Sequence, residues 1–111
     1  MTSFAEVWIA MLPTSENGRT SPVYLGGVDT AHYRPHLVVH GGAGEWLGVE
    51  FVDGPRDPLF PGSEAAATVR FMYEPGVSYD TLTPGATFDV LEGPHKVARG
   101  RVIRRFTAGA A

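Results

Sequence analysis

The stretch TFDVLEGPHKVARGRVIRRF, residues 87–106, decides the fold class of this chain. β-Branched and aromatic residues on both sides of a Gly93-Pro94 turn signal predict a hairpin, with strands at 87–91 and 96–106. Upstream of the hairpin, no segment combines about ten residues of helical periodicity with a capping residue. We therefore expect an all-β protein.

Four more strands are predicted before this hairpin, each bounded by Gly, Pro or Asn-Gly turns, at 4–12, 32–40, 46–52 and 66–73. Six short strands indicate a sandwich or a closed barrel. A barrel leaves no exposed strand edge for aggregation. The sequence therefore predicts a six-stranded antiparallel closed β-barrel, with Trp46, Val69 and Phe88 inside it.

Length and composition indicate one domain. The chain has 111 residues, and we expect residues 1–106 to form the barrel and residues 107–111 to fray as a tail. The absence of cysteine excludes disulfides, zinc-thiolate sites and thiol nucleophiles. No apolar run approaches the roughly 20 residues that span a bilayer, and the first residues lack the basic region of a signal peptide. We expect a cytoplasmic protein with no membrane partner.

Charge is unevenly distributed along the chain. The last sixteen residues hold five Lys and Arg and no acid, while the first 95 hold four arginines against twelve carboxylates, a net −8. The overall charge of −3 argues against a strongly electrostatic nucleic-acid binder. Two interpretations of the basic strand stay open: it pairs with acidic neighbours in the fold, or it offers a basic stripe to phosphate or an acidic partner. Stacking of single-stranded nucleic acid would need exposed aromatics there, whereas we assign the strand aromatics mainly to the core.

The sequence offers no recognisable catalytic motif. His32, His36 and His40 share one face of a strand, but neighbours about 13 Å apart are too distant for one zinc ion. No phosphate-binding loop, nucleophile elbow or zinc-protease motif occurs, and no pair of carboxylates is singled out. We therefore expect a protein that is not an enzyme and that has no cofactor and no metal.

Several short motifs occur in one order along the chain: FAEVWI at 4–9, ENGRTSP at 16–22, YRP at 33–35, PG at 61–62, FDVLEG at 88–93 and VARGRV at 97–102. In this order they resemble the third, C-terminal β-barrel domain of bacterial elongation factor Tu, over residues 4–106. The resemblance implies the same six-stranded barrel and no chemistry. In the parent factor this domain packs against the GTPase domain and the second barrel, contacts the T stem of aminoacyl-tRNA and helps to receive the nucleotide-exchange factor. This chain has no phosphate-binding loop, so we expect no GTP binding by it.

The resemblance also implies candidate site residues. Arg19 matches an arginine near the tRNA backbone, and Glu92 and Gly93 match the turn that meets the T stem. His36 stands where the family has a polar Gln and is grouped with these candidate RNA contacts. Arg34 matches the Tyr-Arg-Pro arginine, which we interpret as structural or interfacial.

Departures from the family pattern fall mainly at the tRNA-facing loops. Pro94 and His95 replace a Gly-Arg pair, which removes one fixed positive charge. Arg99 and Arg101 occupy positions where the family has small or aliphatic residues, and with Arg34 they are the candidate partner-binding residues. We therefore expect the fold to be retained more securely than tRNA binding.

Three functions follow as hypotheses. The first is a free-standing interaction module that binds a protein, such as a translation GTPase or a ribosome-associated component. The second is a tRNA-binding or RNA-binding domain that uses Arg19, Glu92 and the C-terminal arginines. The third is a small-molecule binder or an enzyme at the mouth of the barrel, where we expect no deep pocket with convergent polar groups.

Overall fold

Six antiparallel strands close into a barrel, which confirms the predicted fold class. The computed structural model describes residues 2–26 and 32–108. A 3-10 helix at Thr14–Glu16 is the one helical element in these ranges. The strands are β1 Thr2–Met11, β2 His36–Val39, β3 Leu47–Asp53, β4 Glu64–Phe71, β5 Thr87–Glu92 and β6 His95–Ala108. No helix in the described ranges has the length and apolar character to cross a membrane.

The order of strands around the barrel is β1, β4, β3, β2, β5 and β6, with β6 paired back to β1. The β1–β6 seam runs the whole length of β1 and contains one register shift after Glu6. The β2–β3 seam is the shortest, with His36 opposite Gly48 and Leu37 opposite Leu47. Because β3 lies three places from β6 in this ring, the two strands occupy opposite sides of the barrel.

Alternation of side chains fills the barrel interior. In β1 the buried residues are Ala5, Val7, Ile9 and Met11, and their neighbours point outward. Val69 and Phe88 are fully buried, as predicted. The prediction that Trp46 is internal is wrong. Trp46 lies one residue before β3 and is 48% exposed, and the centroid of its ring lies 5.6 Å from that of the His36 ring.

Each strand differs from its predicted limits at one end or both, and two of these differences have identifiable reasons. β2 begins at His36 rather than His32, because Pro35 has no N–H to donate to a ladder. The carbonyls of Tyr33 and Pro35 nevertheless accept bonds from Phe51 and Val49 of β3, at 2.9 and 3.2 Å. β6 continues through Ala108, so the first two residues of the predicted tail pair with the start of β1. The rest of that tail, residues 109–111, lies outside the described residues.

Candidate functional site

The candidate RNA-binding residues Arg19 and Glu92 meet at one end of the barrel. Arg19 follows the 3-10 helix, after Asn17 reverses the chain with a φ of 67°. Glu92 ends β5, and Gly93 forms the turn into β6 with a φ of 57° that favours glycine. The turn and the loop therefore bring two distant parts of the sequence together.

Arg19, Tyr33 and Glu92 form a closed polar group, which we call the Glu92 cluster. Arg19 Nη1 and the Tyr33 hydroxyl both donate hydrogen bonds to Glu92 Oε2, and Arg19 Nε donates to the Ser21 carbonyl at 3.1 Å. The Arg19 side chain is only 22% exposed. Burial and the bond to the Glu92 carboxylate raise the pKa of the Tyr33 hydroxyl well above its ordinary value. The donors of Arg19 are thus directed at this chain's own acceptors rather than at a phosphate.

Replacing Arg19 with alanine is expected to affect folding rather than RNA affinity. Arg19→Ala leaves a partly buried carboxylate short of a charged donor, so the free energy of unfolding should fall by about 1–2 kcal/mol. Retention of tRNA at low salt should not change. Urea unfolding and filter binding measure the two effects, with Arg56→Ala, which removes the same charge from an exposed loop, as the control. A loss of tRNA retention at unchanged stability would instead assign Arg19 to an RNA site.

His36 lies apart from this group in its contacts. On β2 it pairs with Leu91, the residue before Glu92, but its ring packs against Trp46. A different contact holds the turn after Glu92, because His95 Nε2 donates a hydrogen bond to the Asn17 carbonyl at 2.5 Å. The structure therefore brings together Arg19, Glu92 and Gly93 and gives His36 a separate aromatic neighbour.

Arg34 belongs to a second group, the Glu50 cluster, which consists of His32, Arg34, Glu50 and Arg70. Arg34 Nε donates to Glu50 Oε2 at 3.0 Å, and Arg70 donates to Oε1 from Nε at 3.1 Å and from Nη2 at 2.8 Å. His32 Nδ1 lies 3.2 Å from Oε2. This arrangement attaches the segment before β2 to β3 and β4, which gives Arg34 a structural task.

Glu50 has the most deeply buried charged side chain in the described ranges, with 7% of it exposed. Burial by itself raises the pKa of this carboxyl, but the hydrogen bonds from Arg70 and Arg34 outweigh burial and hold the pKa below its ordinary value. Sequence reasoning missed both Glu50 and Arg70. Their signal is a cross-strand pair, Glu50 opposite Arg70, which becomes visible only when the register of β3 on β4 is known.

Arg99 and Arg101 point outward from β6 and, with Trp8, form what we call the basic face. Trp8 of β1 is the cross-strand partner of Arg101, and Ala10 is that of Arg99. Both arginines are exposed and Trp8 is half-buried. Together with Gly100, these side chains line a shallow groove of about 470 Å³ on the outside of the barrel.

The other cations of β6 have partners within the fold. Lys96 Nζ lies 3.0 Å from Asp89 Oδ1, and Arg104 Nε lies 3.7 Å from Glu6 Oε1. Arg105 Nη1 donates to the Tyr79 carbonyl at 2.9 Å. Across residues 2–26 and 32–108, Arg99 and Arg101 form neither an ion pair nor a side-chain hydrogen bond. Part of the basic strand therefore forms contacts within the fold, whereas the guanidinium groups of Arg99 and Arg101 are exposed to solvent.

A polar network borders the groove on the side of β5. His40 Nδ1 is 2.8 Å from Thr87 Oγ1, and His40 Nε2 is 2.8 Å from Asp89 Oδ1. Burial raises the pKa of Asp89, but hydrogen bonds from His40 and Lys96 outweigh it and lower the pKa. Asp89 lies directly across from Arg99. Its carboxylate binds His40 and Lys96, and within the described ranges it forms no ion pair with Arg99.

Comparison with known proteins does not assign this chain to a family. No family model matches the sequence, and no curated protein matches it. The features that bear on function are therefore the Glu92 cluster, the Glu50 cluster, the basic face with its polar border, and the order of the sequence motifs.

Proposed function

We propose that this chain is a non-catalytic interaction module, built on a barrel like the third domain of elongation factor Tu, that binds a protein partner through the basic face. The observation that carries the proposal is the pair Arg99 and Arg101, two exposed arginines with no ion-pair partner in the described ranges, beside the half-buried ring of Trp8. Aromatic residues and arginine are the residue types enriched where proteins bind one another. The motif resemblance makes a translation GTPase or a ribosome-associated component the partner we favour.

Binding of tRNA is the less favoured function. Arg19, a residue that the resemblance places near the tRNA backbone, donates to Glu92 and Ser21 within the chain. His95, at a position where the family carries arginine, donates to the Asn17 carbonyl. Phosphate backbones are usually held by many cations, whereas the chain is net acidic at −3. These contacts agree better with a protein partner than with RNA.

The group Thr87, His40 and Asp89 has the chemical order of a hydroxyl nucleophile, a base and an orienting carboxylate. The His40 side chain is 47% exposed, and Asp89 also binds Lys96. Catalytic relays of this kind work in sites that exclude water and provide donors to an oxyanion. We therefore interpret this group as the polar border of the docking surface, and we expect neither catalysis nor GTP binding from this chain.

Site-specific photocrosslinking in the cells that make the protein tests this proposal. A benzophenone amino acid at Ile103, which is 40% exposed on β6, is expected to give a discrete protein adduct that ribonuclease does not remove. The matched control is the same amino acid at Trp46, which is 48% exposed but lies just before β3 on the opposite side of the barrel. An adduct that ribonuclease destroys, or equal adducts from both positions, would contradict the proposal.

A further inference from the structure

We infer that the basic face binds an extended acidic segment of the partner. This segment has acidic residues at positions i and i+2 and an apolar residue at position i+4, so that all three side chains point to the same side. This inference rests on the proposed function and names the chemistry of the partner at that same surface. Three features carry it: the spacing of the two arginines, the apolar surface beside them, and the pairing of β6 with a neighbouring strand on both sides.

The spacing of the arginines selects the spacing of the carboxylates. Arg99 and Arg101 are alternate residues of β6 and both are exposed, so their side chains leave the same face of the strand about 6.7 Å apart. An extended segment that lies along β6 presents its own alternate side chains at the same interval. Each guanidinium then meets one carboxylate, an arrangement that allows two parallel hydrogen bonds per pair.

The apolar position follows from the surface next to Arg101. Trp8 lies across from Arg101, and Ile103 is the next exposed residue along β6. A side chain two residues beyond the second carboxylate reaches this surface. An aliphatic group there removes part of the Trp8 ring and of Ile103 from water, which favours binding through the hydrophobic effect. The expected partner pattern is therefore acidic, any residue, acidic, any residue, apolar.

Closure of the barrel determines how such a segment binds. Because β6 pairs with β1 on one side and with β5 on the other, its backbone groups are committed to the ladder. A partner strand therefore does not add to the sheet through main-chain bonds, which is the usual mode of strand addition. Recognition is left to the outward side chains. The open charges of Arg99 and Arg101 then decide specificity, since the nearest acids are already bound by Lys96 and Arg104.

A fluorescence titration with a defined peptide tests the inference. The chain has two tryptophans, so Trp46→Phe leaves Trp8 as the single reporter in the groove. The probe is the acetylated, amidated peptide Gly-Ser-Glu-Thr-Glu-Thr-Leu-Ser-Gly. It is expected to change the Trp8 emission saturably, with an affinity that falls in high salt. Calorimetry with the unsubstituted chain gives the same affinity independently of the Trp46 change.

Matched peptides and variants separate charge from spacing. Replacing both Glu of the peptide by Gln, or combining Arg99→Gln with Arg101→Gln in the protein, is expected to weaken binding about tenfold. A peptide with its two Glu adjacent has the same charge and is expected to bind several-fold more weakly, about as one ion pair does. Arg56→Gln, in an exposed loop, is expected to leave the affinity unchanged.

Each of the following outcomes overturns either the inference or the proposed function. Equal affinity of the Gln peptide or of the adjacent-Glu peptide would contradict the role of paired carboxylates. Displacement of the peptide by an oligouridylate at lower concentration would assign the groove to nucleic acid. If the peptide does not bind while Ile103 still crosslinks to a protein, the proposed interaction module is supported and the inference of an acidic partner segment is refuted. If the peptide binds while no protein crosslinks in cells, the proposed function is refuted, but the affinity of the basic face for paired carboxylates is supported.

Discussion

Gly100→Ala is expected to lower the free energy of unfolding by about 3 kcal/mol, the cost of overpacking a site that has no room. Gly100 lies in β6 beneath the basic face. A Cβ atom there would come within 2.5 Å of the Trp8 carbonyl oxygen and 2.6 Å of the Phe88 ring. The carbonyl belongs to the β1–β6 ladder and the ring is fully buried, so neither moves without disturbing the barrel wall.

Urea unfolding of Gly100→Ala against Gly42→Ala measures this effect. Gly42 lies in the exposed connection after β2, where an added Cβ comes no closer than 3.4 Å to another atom, so its substitution should change stability by less than about 0.5 kcal/mol. Equal stability of the two variants would mean that β1, β6 and Phe88 do not approach one another as closely as described. The barrel wall behind the groove would then not be closely packed.

Glu50→Gln is expected to lower the free energy of unfolding by about 2 kcal/mol at neutral pH. The substitution keeps the size of the side chain but removes the charge that accepts three hydrogen bonds from Arg34 and Arg70. An amide also directs its own N–H donors at guanidinium donors. Because both arginines reach solvent and regain water there, the loss should stay below that of a fully buried ion pair.

The effect of Glu50→Gln is expected to depend on pH in a definite direction. The pKa of Glu50 in the folded chain lies below its ordinary value of 4.5, so the unfolded chain binds this proton first as the pH falls. The stability that the carboxylate contributes is therefore complete above pH 4.5 and is lost as the pH falls through the folded pKa. Asp89, whose pKa is also lowered, weakens both proteins in acid and cancels in the difference.

Denaturant unfolding of the unsubstituted chain and Glu50→Gln, at pH 7 and at about pH 3, gives this difference. It should be larger at pH 7 than in acid, because the carboxylate is protonated progressively as the pH falls. Glu45→Gln, at an exposed position before β3, is the control and should lie close to the unsubstituted chain at both values. A difference that grows in acid, or is absent at pH 7, would refute the assignment of Glu50 as the ionised centre of its cluster.

The strands were predictable because the signals that produce them are local. Turns rich in Gly and Pro separate short apolar segments, and alternation within each segment decides which side chains are buried. Val69 and Phe88 illustrate this, since both occupy inward positions of their strands. Trp46 fails the same reasoning, because it lies one residue before β3, where the alternation of the sheet no longer determines its direction.

The polar groups were less predictable because they depend on register. The meeting of Glu50 with Arg34 and Arg70 joins three segments, and no local pattern indicates it. Arg19 and Glu92 were both singled out by the motif resemblance. Their bond to each other, across 73 positions of the chain, appears only in the folded barrel. That bond changes the interpretation of Arg19, from a group free to meet phosphate to one that holds a loop against β5.

The exposed guanidinium groups of Arg99 and Arg101 were unpredictable for the same reason, because ion pairing in β6 also depends on strand register. The sequence indicates a basic last strand but not which of its cations find partners. Lys96 and Arg104 meet acids on β5 and β1 because the register brings them together. The two arginines between them have Ala10, Trp8 and Thr87 as cross-strand neighbours, together with an Asp89 whose carboxylate is already engaged.

The crosslinking yield at Ile103, measured in chains that carry Arg99→Glu with Arg101→Glu, tests the central claim most directly. If the basic face is the docking surface for an acidic protein segment, reversing these charges should reduce the protein adduct about tenfold or more. Arg56→Glu, a reversal on an exposed loop, should leave the adduct unchanged. An adduct that survives the double reversal, or that falls equally with Arg56→Glu, would contradict the account.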